Sequence, residues 1–146
     1  MFEAAHSDRC AAPAAEVWAL WADPDRWPDW NRQLERVEAD GELRVGAELR
    51  AKMRRGGTVS FAVIELEPER LLRLEARFPG ARLGHEQRLA AGRSSVEITH
   101  RVYLDGPLAG FWALMMGRGR LRESVVGFVE REREIAEPPA RRAERG

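Results

Sequence analysis

Three histidines, His6, His85 and His100, are the side chains of this chain best suited to move a proton near neutral pH, because an imidazole can both give and take one there. Two of them stand near a second polar group, Asp8 two residues after His6 and Gln87 two residues after His85. Three kinds of chemistry fit such a set. The histidines can be core groups satisfied by hydrogen bonds. They can anchor a carbonyl-bearing ligand, or act on it as general acid and base. Three imidazoles with an open position also suit zinc, but the sequence has no local ligand spacing for one, and no metal is assigned. The chain lacks a phosphate loop, a dinucleotide fingerprint and a nucleophile elbow, so no cofactor is expected. Cys10 is the only cysteine and cannot form an internal disulfide.

Strands must position these residues. From about residue 34 onward, turn residues recur at short intervals: Asp40-Gly41, Gly46, Gly56-Gly57, Pro68, Pro79-Gly80, Gly92 and Gly106-Pro107. Between them the pattern predicts strands near 34–39, 46–54, 58–66, 70–78, 82–90 and 94–104, joined as an antiparallel meander. Residues 2–11 form a further strand with Phe2, Ala4, His6, Asp8 and Cys10 on one face. Gly92-Arg93 read as a two-residue hairpin loop pairs Leu89 with Val96, Gln87 with Ile98, His85 with His100 and Leu83 with Val102. Pro79-Gly80 as a second such loop pairs Ala76 with Leu83 and Leu74 with His85. Both hairpins place Arg73, Glu75, Arg77, Arg82, Glu86, Arg88, Glu97 and Arg101 on the opposite face, and this partition supports the register. Strand 58–66 is apolar on both faces, so its inward side stays open.

Helices cover the other side. Pro13 at a first helical position and Asp23-Pro24 mark two short helices after the first strand. Four of the five tryptophans fall within residues 18–30, and each buried indole N–H needs an acceptor. A long helix from Pro107 to about Glu134 carries an apolar stripe of Leu108, Phe111, Trp112, Met115, Leu121, Val125, Phe128 and Val129. Gly117 and Gly119 weaken its middle, where a kink is expected. Trp30, Phe61, Phe78, Trp112 and Met115 are candidate cavity walls. Arg118, Arg120 and Arg122 form a basic cluster that fits either a solvated face or contact with an anion. Residues 137–146 read as a disordered tail.

Bulk composition narrows the field. One domain fits 146 residues. The 24 cationic and 24 anionic side chains cancel, which removes the basic surplus expected of a nucleic-acid binder. Lys52 is the only lysine. Neither a signal peptide nor a stretch long enough to span a bilayer is present, so the expected compartment is the cytoplasm.

The order strand, two short helices, six strands and long helix resembles the helix-grip fold of START-like proteins. The match is carried by Ala12-Pro13-Ala14-Ala15-Glu16-Val17-Trp18, by Asp23-Pro24-Asp25-Arg26-Trp27-Pro28-Asp29-Trp30-Asn31, by Glu67-Pro68, and by Gly106-Pro107-Leu108 with Gly117-Arg118. It spans residues 2–136 and is closest to the polyketide cyclase/dehydrase and lipid-transport branch. The resemblance implies an α+β fold with a seven-stranded antiparallel sheet curved around the long C-terminal helix, over a domain of residues 1–136. It also implies adjacency of the first and last strands, which brings His6 near His100. The implied function is binding of a hydrophobic small molecule, such as a lipid, polyketide or isoprenoid, in an internal cavity. His85 and His100 are then the candidate catalytic pair of a cyclase or dehydratase, and His6, Asp8, Trp30, Phe61, Phe78, Gln87, Trp112 and Met115 the candidate ligand-binding residues. A protein-interaction module without a ligand is the third reading. The implied state is a monomer or homodimer, with no nucleic-acid partner.

Overall fold

In the computed structural model, which describes residues 1–138, seven strands form one antiparallel sheet. They are β1 (Phe2–Cys10), β2 (Leu34–Ala39), β3 (Glu48–Met53), β4 (Thr58–Glu67), β5 (Leu71–Phe78), β6 (Ala81–Ala91) and β7 (Val96–Asp105), in the order β1-β7-β6-β5-β4-β3-β2. The meander is therefore continuous from β2 to β7, and β1 closes it by pairing with β7. Two short helices, α1 (Ala14–Ala22) and α2 (Trp27–Trp30), follow β1. A single 3₁₀ turn, Pro24–Arg26, separates them, and Asp23 caps it by accepting the Asp25 N–H at 3.1 Å. Pro13 stands at the N-cap of α1 in an extended conformation, one position before the first helical residue.

The expected long helix is two helices, α3 (Ala109–Met116) and α4 (Arg118–Ala136). Gly117 separates them with φ of 87°, which breaks the helix outright where only a kink was expected. The entry to α3 rests on the β5–β6 turn: Leu108 N–H donates to Gly80 O at 2.9 Å, and Trp112 Nε1 donates to Pro79 O at 2.8 Å. Among the described residues no helix is long and apolar enough to cross a membrane.

The β5–β6 register agrees with the two-residue Pro79-Gly80 loop, with Leu74 opposite His85 and Ala76 opposite Leu83. The β6–β7 register does not agree with a two-residue loop. Residues 92–95 form a four-residue loop closed by Gly92 N–H to Ser95 O at 2.7 Å. Each residue of β6 therefore meets a partner two positions later: Leu89 faces Ile98, Gln87 faces His100, His85 faces Val102 and Leu83 faces Leu104. A slip of two residues preserves the side-chain parity, so the inward face is unchanged. On β4, Phe61 and Val63 point inward, with a bulge between Val63 and Glu65.

The core lies between the inward sheet face and the helices. Val17, Leu20 and Trp21 of α1, Trp27 and Trp30 of α2, and Phe128 and Val129 of α4 pack with Leu49, Val63, Leu72, Leu74, Leu89 and Ile98, while Val125 of α4 packs with Ala4 and Val102. The indole N–H groups tie the helices together: Trp27 Nε1 donates to Trp21 O at 2.8 Å and Trp30 Nε1 to Leu20 O at 3.4 Å. Glu137, placed by sequence in a disordered tail, is 4% exposed and accepts Ala11 N–H at 2.7 Å, so it fastens the end of α4 to the end of β1. The rest of that expected tail, residues 139–146, lies outside the described residues.

On the outer face the Tyr103 ring lies across Gly84, with the Arg101 guanidinium 4.7 Å from the ring centroid. A Cβ at residue 84 would overlap that ring. Gly84→Ala is expected to destabilise the fold by about 2 kcal/mol, read as a lower urea midpoint at constant m. An unchanged midpoint would mean that the ring swings clear without loss.

Candidate functional site

β1, β6 and β7 bring the histidines together under α4. His6 pairs directly with His100 across β1 and β7. His85 is diagonal to His100, and its Nε2 lies 2.8 Å from His100 Nδ1. The other ring nitrogen of His100 lies 2.6 Å from Glu132 Oε1, and Glu132 Oε2 accepts the Trp21 indole N–H. An unbroken hydrogen-bonded chain thus runs from Trp21 through Glu132 and His100 to His85. His100 and Glu132 are fully buried, whereas His85 keeps partial exposure at the cavity.

Burial in an apolar shell sets the charge of this chain. It pushes the His85 and His100 pKa values down, with His100 adding to the effect at His85 and His6 adding to it at His100, which falls to about 3. Burial pushes the Glu132 carboxyl well above its usual range, opposed by the Trp21 hydrogen bond. Burial thus favours the uncharged form of all three groups. The donor count then fixes the direction: the Glu132 hydroxyl donates to His100 Nε2, His100 Nδ1–H donates to His85 Nε2, and His85 Nδ1 carries the outermost proton. With both ring nitrogens engaged, His100 has no lone pair for a metal.

The cavity has an inner part of about 100 Å³, walled by Trp27, Trp30, Phe61, Leu74, Val102 and Phe128, with His85 and Gln87 as its polar end. It shares Gln33, Met53, Phe61, Leu83, Leu121 and Ser124 with an outer part of about 590 Å³. Gln87 is 0% exposed, and neither its Oε1 nor its Nε2 has a hydrogen-bond partner. Ser124 stands where the two parts join, accepting from Gln33 Nε2 at 2.6 Å and donating to Arg120 O at 2.7 Å.

The candidate residues divide among these places. Trp30, Phe61, His85 and Gln87 line the inner part, while Phe78 and Met115 line the outer one. His6 lies beside His100, with its Nε2 buried and unpartnered. Asp8 does not reach the cavity lining: its carboxylate pairs with Arg133 of α4 at 2.6 Å. Trp112 also stays out, because its indole is held by Pro79 O and its ring lies against Phe78. His6, Asp8 and Glu130 have ligand atoms within 4.8 Å of one another, but Arg133 Nη1 pairs with both carboxylates and offsets part of their charge.

Sequence reasoning missed Glu132. A signal for it existed in the helical phase. Leu121, Val125, Phe128 and Glu132 are spaced by four, three and four residues, which puts the carboxyl on the buried face of α4.

Comparison with known proteins agrees with this architecture. By structure the chain is similar to DynU16 of the dynemicin biosynthetic locus, at 19% identity and a TM-score of 0.68, covering 90% of this chain and 46% of that one. The chain thus spans less than half the length of DynU16. It is similar to norcoclaurine synthase from Thalictrum flavum, at 17% identity and a TM-score of 0.67, covering 92% of each chain. It is also similar to BexL, a di-domain ARO/CYC from the BE-7585A biosynthetic pathway, at 17% identity and a TM-score of 0.72, covering 94% of this chain and 48% of that one. These likenesses show the helix-grip fold. No curated protein matches the chain by sequence. The family model described as polyketide cyclase/dehydrase and lipid transport matches residues 1–131, from β1 into the helix that carries Glu132, and the chain belongs to that family.

Proposed function

We propose that this protein binds an apolar small molecule, of lipid, polyketide or isoprenoid type, and seats a carbonyl or hydroxyl group of that molecule against His85 and Gln87. The observation that carries this reading is the Gln87 amide, fully buried in an apolar cavity with its donor and acceptor both unpartnered. Leaving such a group unpaired costs about 1–3 kcal/mol, and a ligand oxygen removes that cost. An open cavity also favours a ligand over a protein-interaction module, whose core would be filled by side chains. Ser124→Trp places an indole where the two cavity parts meet. Native mass spectrometry of the protein from its own host is expected to find a co-purifying ligand on the wild type and none on this variant. A wild type that emerges empty, and that takes up no lipid or polyketide added to it, removes the reading.

The hydrogen-bonded chain favours a second reading, an enzyme of the cyclase or dehydratase kind. In its uncharged state the chain is an acid: His85 Nδ1 gives its proton to the ligand, His100 Nδ1–H refills His85 Nε2, and the Glu132 hydroxyl refills His100 Nε2. The proton given up at the cavity is thus made good from Glu132, which is left as carboxylate. The reverse sequence removes a proton from the ligand and stores it on Glu132. Dehydration and aldol cyclisation each need one proton removed from carbon and one delivered to oxygen, and a two-way relay supplies both. His85 is the catalytic residue of this reading, and His100 and Glu132 act through it.

A further inference from the structure

We propose that the outer mouth of the cavity holds an anionic group of the ligand, which makes the ligand an amphiphile with an apolar body and a carboxylate or phosphate end. This rests on the reading of the cavity as a ligand site. The outer part is lined by Arg32, Arg54, Arg55 and Arg120 together with Met53, Phe61, Phe78, Met115 and Leu121, and no aspartate or glutamate is among its lining residues. The net charge of the whole chain is zero, so this concentration of cations is local. Several arginines elsewhere are paired: Arg50, Arg73, Arg82, Arg101 and Arg133 each hold a carboxylate within 4.0 Å. None of the four mouth arginines forms an ion pair among the described residues. Arg54 is held at its Nε by Leu34 O at 3.3 Å, which leaves its terminal nitrogens for another acceptor.

The arrangement suits a specific ligand chemistry. A guanidinium sheds water more readily than an ammonium and grips carboxylate or phosphate through two parallel N–H groups. Four unneutralised guanidiniums at one opening repel one another, and an anion seated among them relieves that repulsion. Of the basic cluster on α4, Arg120 lines the mouth, whereas Arg122 lies over the Phe2 ring at 5.5 Å and Arg118 is outside the lining. The apolar residues shared with the inner part then receive the body of the molecule, and the polar end at His85 and Gln87 receives its far oxygen.

Dodecanoate, dodecyl phosphate and dodecanol separate the contributions. They share one apolar body and differ in the head, and their binding to the full-length protein can be followed through intrinsic tryptophan fluorescence, with Trp27 and Trp30 at the cavity wall. The two anions are expected to bind about tenfold tighter than the alcohol at low ionic strength, with the gap shrinking as salt is added. In the Arg55→Gln/Arg120→Gln double variant, the gap should fall to about twofold or less while dodecanol binds as before. Whichever anion binds tighter identifies the head as phosphate or carboxylate. If wild type binds dodecanol as tightly as both anions, the anionic mouth is wrong and the ligand site stands. If the gap survives in the double variant, the anion is held elsewhere and the proposal also falls. If none of the three binds, or if Ser124→Trp leaves their binding intact, both the mouth and the cavity reading are wrong.

Discussion

Turnover of a cavity-bound poly-β-keto substrate is expected to fall by about 10²- to 10⁴-fold in His85→Ala, the usual weight of a positioned acid or base. Glu132→Gln is expected to fall within the same range, although this residue touches no substrate. Glutamine keeps both hydrogen bonds, accepting the Trp21 indole N–H through its oxygen and donating to His100 Nε2 through its amide. It cannot give up or store a proton, so the relay stops at His100 while the packing is preserved. Glu132→Ala separates the structural role from the chemical one. It leaves the Trp21 N–H and the far nitrogen of His100 buried and unpaired, and is expected to destabilise the fold by about 3 kcal/mol. Urea unfolding of the two variants, beside their rates and their pH–rate profiles, checks the set. Equal turnover in wild type, His85→Ala and Glu132→Gln would leave the protein a carrier.

The same cluster should make the stability of the fold depend on pH in two opposed senses. His85 and His100 titrate lower in the folded chain than the usual 6.5, about 3 for His100. Between those values the unfolded chain binds more protons, so stability rises with pH there and is lost on acidification. Glu132 titrates well above its usual 4.5 when folded. Above 4.5 the folded chain binds the extra proton, so this contribution to stability falls as pH rises towards the raised value. Below pH 6.5 two imidazoles oppose one carboxyl, and acidification destabilises by on the order of 1 kcal/mol per pH unit. Above it only the carboxyl is left to contribute, and its share is lost as pH rises towards its raised value. The groups facing the cluster from neighbouring elements are His6 of β1, with Asp8, Glu130 and Arg133 beyond it held in ion pairs. Urea midpoints across this range check the profile. Glu132→Gln should abolish the alkaline decline and keep the acid one, and a wild type with no decline above pH 6.5 would contradict a protonated Glu132.

Much of this was legible in the sequence because it rests on parity and punctuation. Strand 34–39 agrees at both ends, and the Pro79-Gly80 turn fixed the register of β5 and β6. The next hairpin was misread because loops of two and of four residues share a parity. Alternation identifies the face and is blind to a slip of two, so His85 and His100 met on a diagonal where a direct opposition was expected. Asp8 was misplaced for a different reason. Its strand face is inward, but that face ends at α4, where Arg133 meets it before the cavity does. Trp112 belongs to an apolar stripe that Gly117 divides, so its neighbours are those of a separate helix. Glu132 was hidden by its type. A glutamate on a charged helix reads as solvated, and only its phase relative to Phe128 reveals otherwise.

Helix α4 is tied to β1 at one end and parted from α3 at the other. Glu137 grips the Ala11 backbone beyond its last turn, while Gly117 parts its first turn from α3. A tilt about the C-terminal end would move the two ends of the helix unequally. Arg118 lies roughly 27 Å from the C-terminal end and Glu132 roughly 6 Å, at 1.5 Å per residue. A tilt of about 5° would swing the far end by roughly 2 Å and Glu132 by only about 0.5 Å. Such a tilt would widen the entrance far more than it would disturb the hold of the buried carboxyl on the imidazole.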